Sequence, residues 1–246
     1  MKKTLTMTAT LILLLVCPRP ATALEVDDLI TRVIQAQGGR SLLEGITSVI
    51  SEGRIVLVAQ GGVEGRMVIR SKDPDLTMSE MEFMGMKIVQ SFDGERAWAD
   101  NPMAGGVMEL TGIDARNMKR NAIGNEALLN PGEHGITYTM EGTEKVGEAE
   151  CYVVEQVYPD GQTSRLFYDR DTFRLVKSAS RVETSQGSFD NELLYSDYQV
   201  TDGITSARKI TIFRNGQEFL RMIIDRITYN PPIEDGVFTL KKPTSD

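Results

Sequence analysis

Residues 207–229 read Ala207-Arg208-Lys209-Ile210-Thr211-Ile212-Phe213-Arg214, then Asn215-Gly216, then Gln217-Glu218-Phe219-Leu220-Arg221-Met222-Ile223-Ile224-Asp225-Arg226-Ile227-Thr228-Tyr229. Asn-Gly is among the strongest short-range hairpin signals. The runs on either side are rich in β-branched and aromatic residues, which suit a pleated surface. The second arm is apolar on both parities. Phe219, Ile223, Ile227 and Tyr229 share one, and Leu220, Met222 and Ile224 share the other. A sheet wetted on one side alternates cleanly, so both faces of this arm are expected to meet apolar material. One face is free to carry helices. The other either lines a cavity, as the inside of a curved sheet would, or packs as ordinary core.

The same texture extends outward. Strands are expected at 135–146, 151–158, 163–169, 173–183 and 188–199, broken at Pro159-Asp160-Gly161, Asp169-Arg170-Asp171, Gln186-Gly187 and Asp202-Gly203. In 151–158, Cys151, Val153 and Val157 oppose Tyr152, Val154 and Tyr158. Breaks this close together leave no room for crossover helices, which excludes a parallel βαβ sheet. In the first half, a hairpin turns at Gly61-Gly62. Short strands at Thr77–Phe83, Lys87–Phe92 and Arg96–Ala99 then form a meander. Eleven or twelve strands and no linker make one domain.

Two segments read as helix. Val26, Leu29, Ile30, Val33 and Ile34 recur at helical spacing, with Asp27 and Asp28 near the positive end of the helix dipole and Gly38-Gly39 at the stop. A further turn follows at Ser41–Glu44. Residues 114–129 form either a helix weakened by Gly124 and ended by Asn130-Pro131 or a long irregular crossing.

The start of the chain indicates export. Lys2 and Lys3, the apolar run Leu11–Val16 and Ala21-Thr22-Ala23 match a cleavable signal peptide over residues 1–23, leaving 24–246 as the mature domain. Cys17 is a poor match to a lipid-attachment cysteine, because Val16 stands where a small residue is expected. Loss of Lys2, Lys3 and Arg19 takes the formal charge from −8 to −11. That balance argues against nucleic acid, which needs a concentrated basic face.

Chemistry-bearing motifs are scarce. His134 is the single histidine, Cys151 the single mature cysteine, and no metal, hydrolase or phosphate-loop motif is present. No catalytic residue, metal or cofactor is expected. Methionine is abundant between Met67 and Met118. Its flexible thioether suits surfaces that accept variable apolar shapes, and equally suits ordinary core filling. The candidate ligand-binding residues are Trp98, Phe83, Met84, Met86, Met81, Phe92, Met222 and Ile224.

The pattern resembles the periplasmic lipoprotein-sorting proteins, the superfamily of the carriers LolA and LolB. The resemblance rests on the helix ending Gln37-Gly38-Gly39, on Ser91-Phe92-Asp93-Gly94-Glu95-Arg96-Ala97-Trp98 and on Tyr168-Asp169-Arg170-Asp171-Thr172-Phe173-Arg174-Leu175-Val176. It also rests on Tyr198-Gln199-Val200-Thr201-Asp202-Gly203-Ile204, followed by Ile227–Phe238. The resemblance implies an α+β fold: one strongly curved antiparallel sheet, an incomplete barrel, with helices on its concave side. It implies a non-catalytic periplasmic carrier whose partners are lipid or lipoprotein acyl chains. An accessory subunit that binds a protein partner in the envelope is the alternative. No motif places the family's functional arginine on Arg54, Arg66 or Arg70.

Overall fold

The computed structural model describes residues 24–239. The expected signal peptide therefore lies outside the described residues. Thirteen strands form one sheet: β1 (Ser48–Leu57), β2 (Val63–Lys72), β3 (Leu76–Phe83), β4 (Met86–Asp93), β5 (Ala97–Asn101), β6 (Gly106–Leu110), β7 (Thr137–Val146), β8 (Ala149–Val157), β9 (Thr163–Asp169), β10 (Leu175–Thr184), β11 (Gly187–Thr201), β12 (Ile204–Arg214) and β13 (Gln217–Tyr229). Their spatial order is β6-β5-β4-β3-β2-β1-β13-β12-β11-β10-β9-β8-β7. Consecutive strands are thus neighbours except β6 and β7, which stand at opposite edges; β1 pairs with β13 at a central seam, and all pairs are antiparallel.

The expectation of a strongly curved, incomplete barrel is corrected. The sheet is open, with β6 and β7 at its two free edges, and is neither closed nor strongly curled. Closure requires the end strands to pair in a staggered register. Here the chain links β6 to β7 through helical segments instead of a hairpin. These are α3 (Gly112–Ala122) and α4 (Glu126–Leu129). The helix expected over 114–129 is split at Gly124, whose φ of 58° is left-handed.

Helix α1 (Val26–Ala36) seats its apolar stripe on the sheet. Leu29 and Val33 are fully buried against Val154, Leu166 and Tyr168 of β8 and β9. Ile30 and Ile34 meet Leu43 of α2 (Arg40–Glu44), Leu129 of α4 and Ile204 of β12. The opposite face is sealed differently. The C-terminal segment folds back so that Ile233 and Phe238 cover Met78, Val89 and Trp98. The Phe238 carbonyl accepts from Trp98 Nε1 and from Ser91 Oγ, each at 2.8 Å.

Candidate functional site

A cleft of about 800 Å³ lies between α3 and the helix-bearing face of the sheet. Its floor follows from register, because directly paired residues share a face. Leu193 pairs with Ile212 and Tyr195 with Ile210. Ile212 pairs in turn with Leu220, and Ile210 with Met222. Ile55 continues this face into β1 opposite Met222, and Met67 and Met81 carry it into β2 and β3. Leu193, Ile210, Ile212, Leu220, Met222 and Ile224 are all only half-buried. The floor is apolar but incompletely covered by the protein's own side chains.

The flank toward β9 and β10 is hydroxylated, with Ser164, Ser178 and Ser180 facing the cleft. Helix α3 forms the roof and reaches β4 and β5 on one side and β10 on the other. It is tied down at the β10 end. Asn117 Nδ2 donates to the Glu183 carbonyl at 2.8 Å, and the Ser185 N–H donates to Asp114 Oδ1 at 3.2 Å. Arg120 of α3 pairs with Asp160 and lies over the Tyr158 ring. That contact and the hydrogen bonds to Asp160 hold its carboxyl below the usual range although burial pushes it up.

Toward α1 the cleft gives way to solid packing with tyrosines at its base. Burial drives the Tyr168, Tyr138 and Tyr198 hydroxyls well above the ordinary tyrosine range. Tyr138 donates to the Ala127 carbonyl at 2.9 Å and Tyr198 to the Leu175 carbonyl at 2.6 Å. Arg208, further along the floor strand, is 5% exposed. Its Nη2 donates to Thr201 Oγ1, while Nε and Nη1 are buried with no protein partner.

The structure brings four of the expected ligand-binding residues together. Phe83 is buried in a cluster with Ile55 and Met67, and Met81, Met222 and Ile224 pack against it. This cluster adjoins Leu220 of the floor. Gly65 makes room for it, because a Cβ there would sit 2.4 Å from the Phe83 ring and from the Glu82 carbonyl. Phe92 is buried two residues from Gln90, which lines the cleft. The other three lie elsewhere. Trp98 is in the opposite-face core, and Met84 and Met86 are exposed at the β3–β4 turn. Leu193, Ile212, Arg214 and the roof residue Met118 line the cleft but were not among the candidates. The apolar parity of 207–229 signals the floor. Nothing in the sequence signals which helix covers it.

Neither Cys151 nor His134 lines the cleft. Burial, then the neighbouring Asp169, pushes the Cys151 thiol up, away from the thiolate a nucleophile needs. His134 ends a short 3-10 helix, Pro131–His134, with its Nε2 4.0 Å from Glu126 Oε2. Among the described residues no group of three or more His, Cys, Asp or Glu side chains gathers to hold a metal ion. Among the same residues no helix is long and apolar enough to cross a membrane.

Neither a protein-family profile nor a curated protein sequence matches the chain. Solved structures do. A DUF1329 family protein from Desulfovibrio piger superposes with a TM-score of 0.58 at 16% identity, over 87% of this chain and 95% of that one. A domain described as a candidate for outer membrane lipoprotein sorting, from Vibrio parahaemolyticus, gives 0.58 at 12% identity, over 86% and 95%. A LolA superfamily protein from Nitrosomonas europaea gives 0.57 at 15% identity, over 89% and 99%. The chain shares the fold of these three structures over 86–89% of its length.

Proposed function

We propose that the protein is an exported, non-catalytic carrier or binding protein of the cell envelope that holds an acyl chain in the cleft between α3 and the floor of β11, β12 and β13. The observation that carries this reading is the half-covered floor. Leu193, Ile212 and Leu220 line the cleft and stay partly exposed, in a space whose volume suits a small ligand, and half-buried Ile210, Met222 and Ile224 continue the same sheet face beyond it. A folded chain that gained nothing from a ligand would collapse such a surface, since apolar area left wet costs about 25 cal/mol per Å². Each methylene buried there contributes about 0.8 kcal/mol, so a long acyl chain gains roughly 10 kcal/mol before the costs of association. The lipoprotein-sorting proteins of the same fold support an acyl ligand. The basic and apolar start of the sequence supports a periplasmic location.

Native mass spectrometry of protein purified without detergent tests this, together with titration by a fluorescent fatty acid. Co-purifying lipid or saturable uptake is expected. Absence of both overturns the reading.

A second reading has its own observation. Met84 is 83% exposed and Met103 67%. They sit in the links after β3 and β5, at one end of the sheet, where a protein partner in the envelope would cover them. Capture of such a partner that is unchanged when Met84 and Met103 become Ser speaks against it.

A further inference from the structure

Arg214 closes the floor strand β12 at the outer end of the cleft. Its guanidinium lies over two aromatic rings, 3.8 Å from the centroid of Phe219 and 4.5 Å from that of Phe189. Such contacts hold a cation in place without neutralising it. Three charged side chains line the cleft: Asp114, Arg120 and Arg214. Arg120 is spent on Asp160, and Asp114 accepts from the Ser185 backbone. Of the three, only the Arg214 side chain makes no ion pair or hydrogen bond with another described residue. Partial burial depresses its pKa, a sign that the site withdraws water from the charge and supplies no counter-charge.

The β12 and β13 residues inward of it on this face are apolar. Ile212 and Ile210 follow on the same face of β12, at about 6.7 Å per two-residue step, with Leu220 and Met222 beside them. An oriented, unpaired guanidinium thus stands at the mouth of an apolar floor. We infer that the ligand is an anionic amphiphile, a fatty acid, with its carboxylate on Arg214 and its chain running inward over Ile212, Ile210, Leu220 and Met222. This rests on the carrier reading and adds the headgroup class to it. The fork of guanidinium N–H donors matches a carboxylate in a bidentate pair.

The test compares palmitate with hexadecanol, which has the same chain and no charge. Each is measured by displacement of a fluorescent probe, on the full mature protein, for the unsubstituted chain, Arg214→Gln and Arg214→Lys. The residue stays partly exposed at the end of its strand, so the variants are expected to fold, and thermal unfolding checks this. Palmitate is expected to bind about tenfold or more tightly than hexadecanol, as a charge-assisted pair provides. Arg214→Gln brings the two ligands level without changing hexadecanol affinity, and Arg214→Lys keeps part of the preference. Equal binding of both ligands by the unsubstituted protein overturns the anionic headgroup and leaves the carrier reading standing. A preference that survives Arg214→Gln places the headgroup elsewhere, with Arg208 the next position to substitute, and overturns the assignment. Binding of neither ligand defeats both readings.

Discussion

Two stretches of one sheet face carry similar side chains and meet different fates. Under α1, Val154, Leu166 and Tyr168 are buried by Leu29 and Val33. A few strands away, Leu193, Ile212 and Leu220 are equally apolar but only half covered. The difference lies in the cover. Helix α1 presents a continuous apolar stripe, whereas α3 has no buried residue and presents Asn117, Asn121 and Met118 to the cleft. A cavity arises here where the helical lid turns polar, over a sheet face that mixes Leu193, Ile212 and Leu220 with Ser164, Ser178 and Ser180.

Substitution at the sealed end has the largest effect. Leu29→Ala removes a fully buried side chain and leaves a cavity, so a loss of about 2–5 kcal/mol is expected in urea unfolding, with ligand affinity changed little. A loss under 1 kcal/mol, on the order of a surface change, would erase the contrast between the two stretches.

The buried tyrosines give the next effect. Their folded-state pKa values lie above those of the unfolded chain. The neutral form is therefore favoured by folding, and this stability is fully present below the unfolded value of about 10. It is lost as pH rises beyond that, by up to about 1.4 kcal/mol per pH unit for each such group. Denaturation midpoints should fall on raising pH above about 10, less steeply in Tyr138→Phe. A flat alkaline profile would mean that these hydroxyls ionise freely and that this end is not sealed.

Leu220→Ala probes the open stretch. Its half-buried side chain has less packing to lose, so the expected cost is about 1 kcal/mol or less. Acyl affinity should nevertheless fall several-fold, and unchanged affinity would remove Leu220 from the floor. The smallest effect belongs to the opposite face. Trp98→Phe deletes the hydrogen bond to the Phe238 carbonyl, which keeps Ser91 as a donor. The expected loss is about 0.5–1 kcal/mol, with no change in acyl binding. A weakened ligand would show that the two faces are coupled.

Much of this fold is written in local chemistry. Asn215-Gly216 sits at φ 49° and 76°, the paired left-handed conformation a tight hairpin needs. The α1 stripe buries four of the five residues its spacing picks out, and Val26 is half-buried. Other features depend on tertiary pairing. Asp225 is an extra residue against β1, where Glu52 and Gly53 face Arg226 and Ile224. The bulge flips the parity of the strand, so Ile227 and Tyr229 share a face with Met222 and Ile224 and not with Ile223. A parity count cannot see this, since nothing in Ile224-Asp225-Arg226 marks it. Strand β6 is hidden because Gly105-Gly106 and the short Val107-Met108-Glu109 resemble a loop. The openness of the sheet is likewise a property of how β6 fails to meet β7. Arg214 gains part of its significance from Phe189, a residue 25 positions away that the pairing of β11 with β12 brings beside it.

The most direct measurement is photolabelling with a fatty acid carrying a diazirine at the end of its chain, followed by peptide mapping of the full mature protein. Insertion should concentrate on the inward floor, in the peptides of β11, β12 and β13 around Tyr195, Ile210 and Met222, and should be competed by palmitate. Label confined to the exposed methionines at 84 and 103, or scattered without competition, would contradict an acyl chain held between α3 and the sheet.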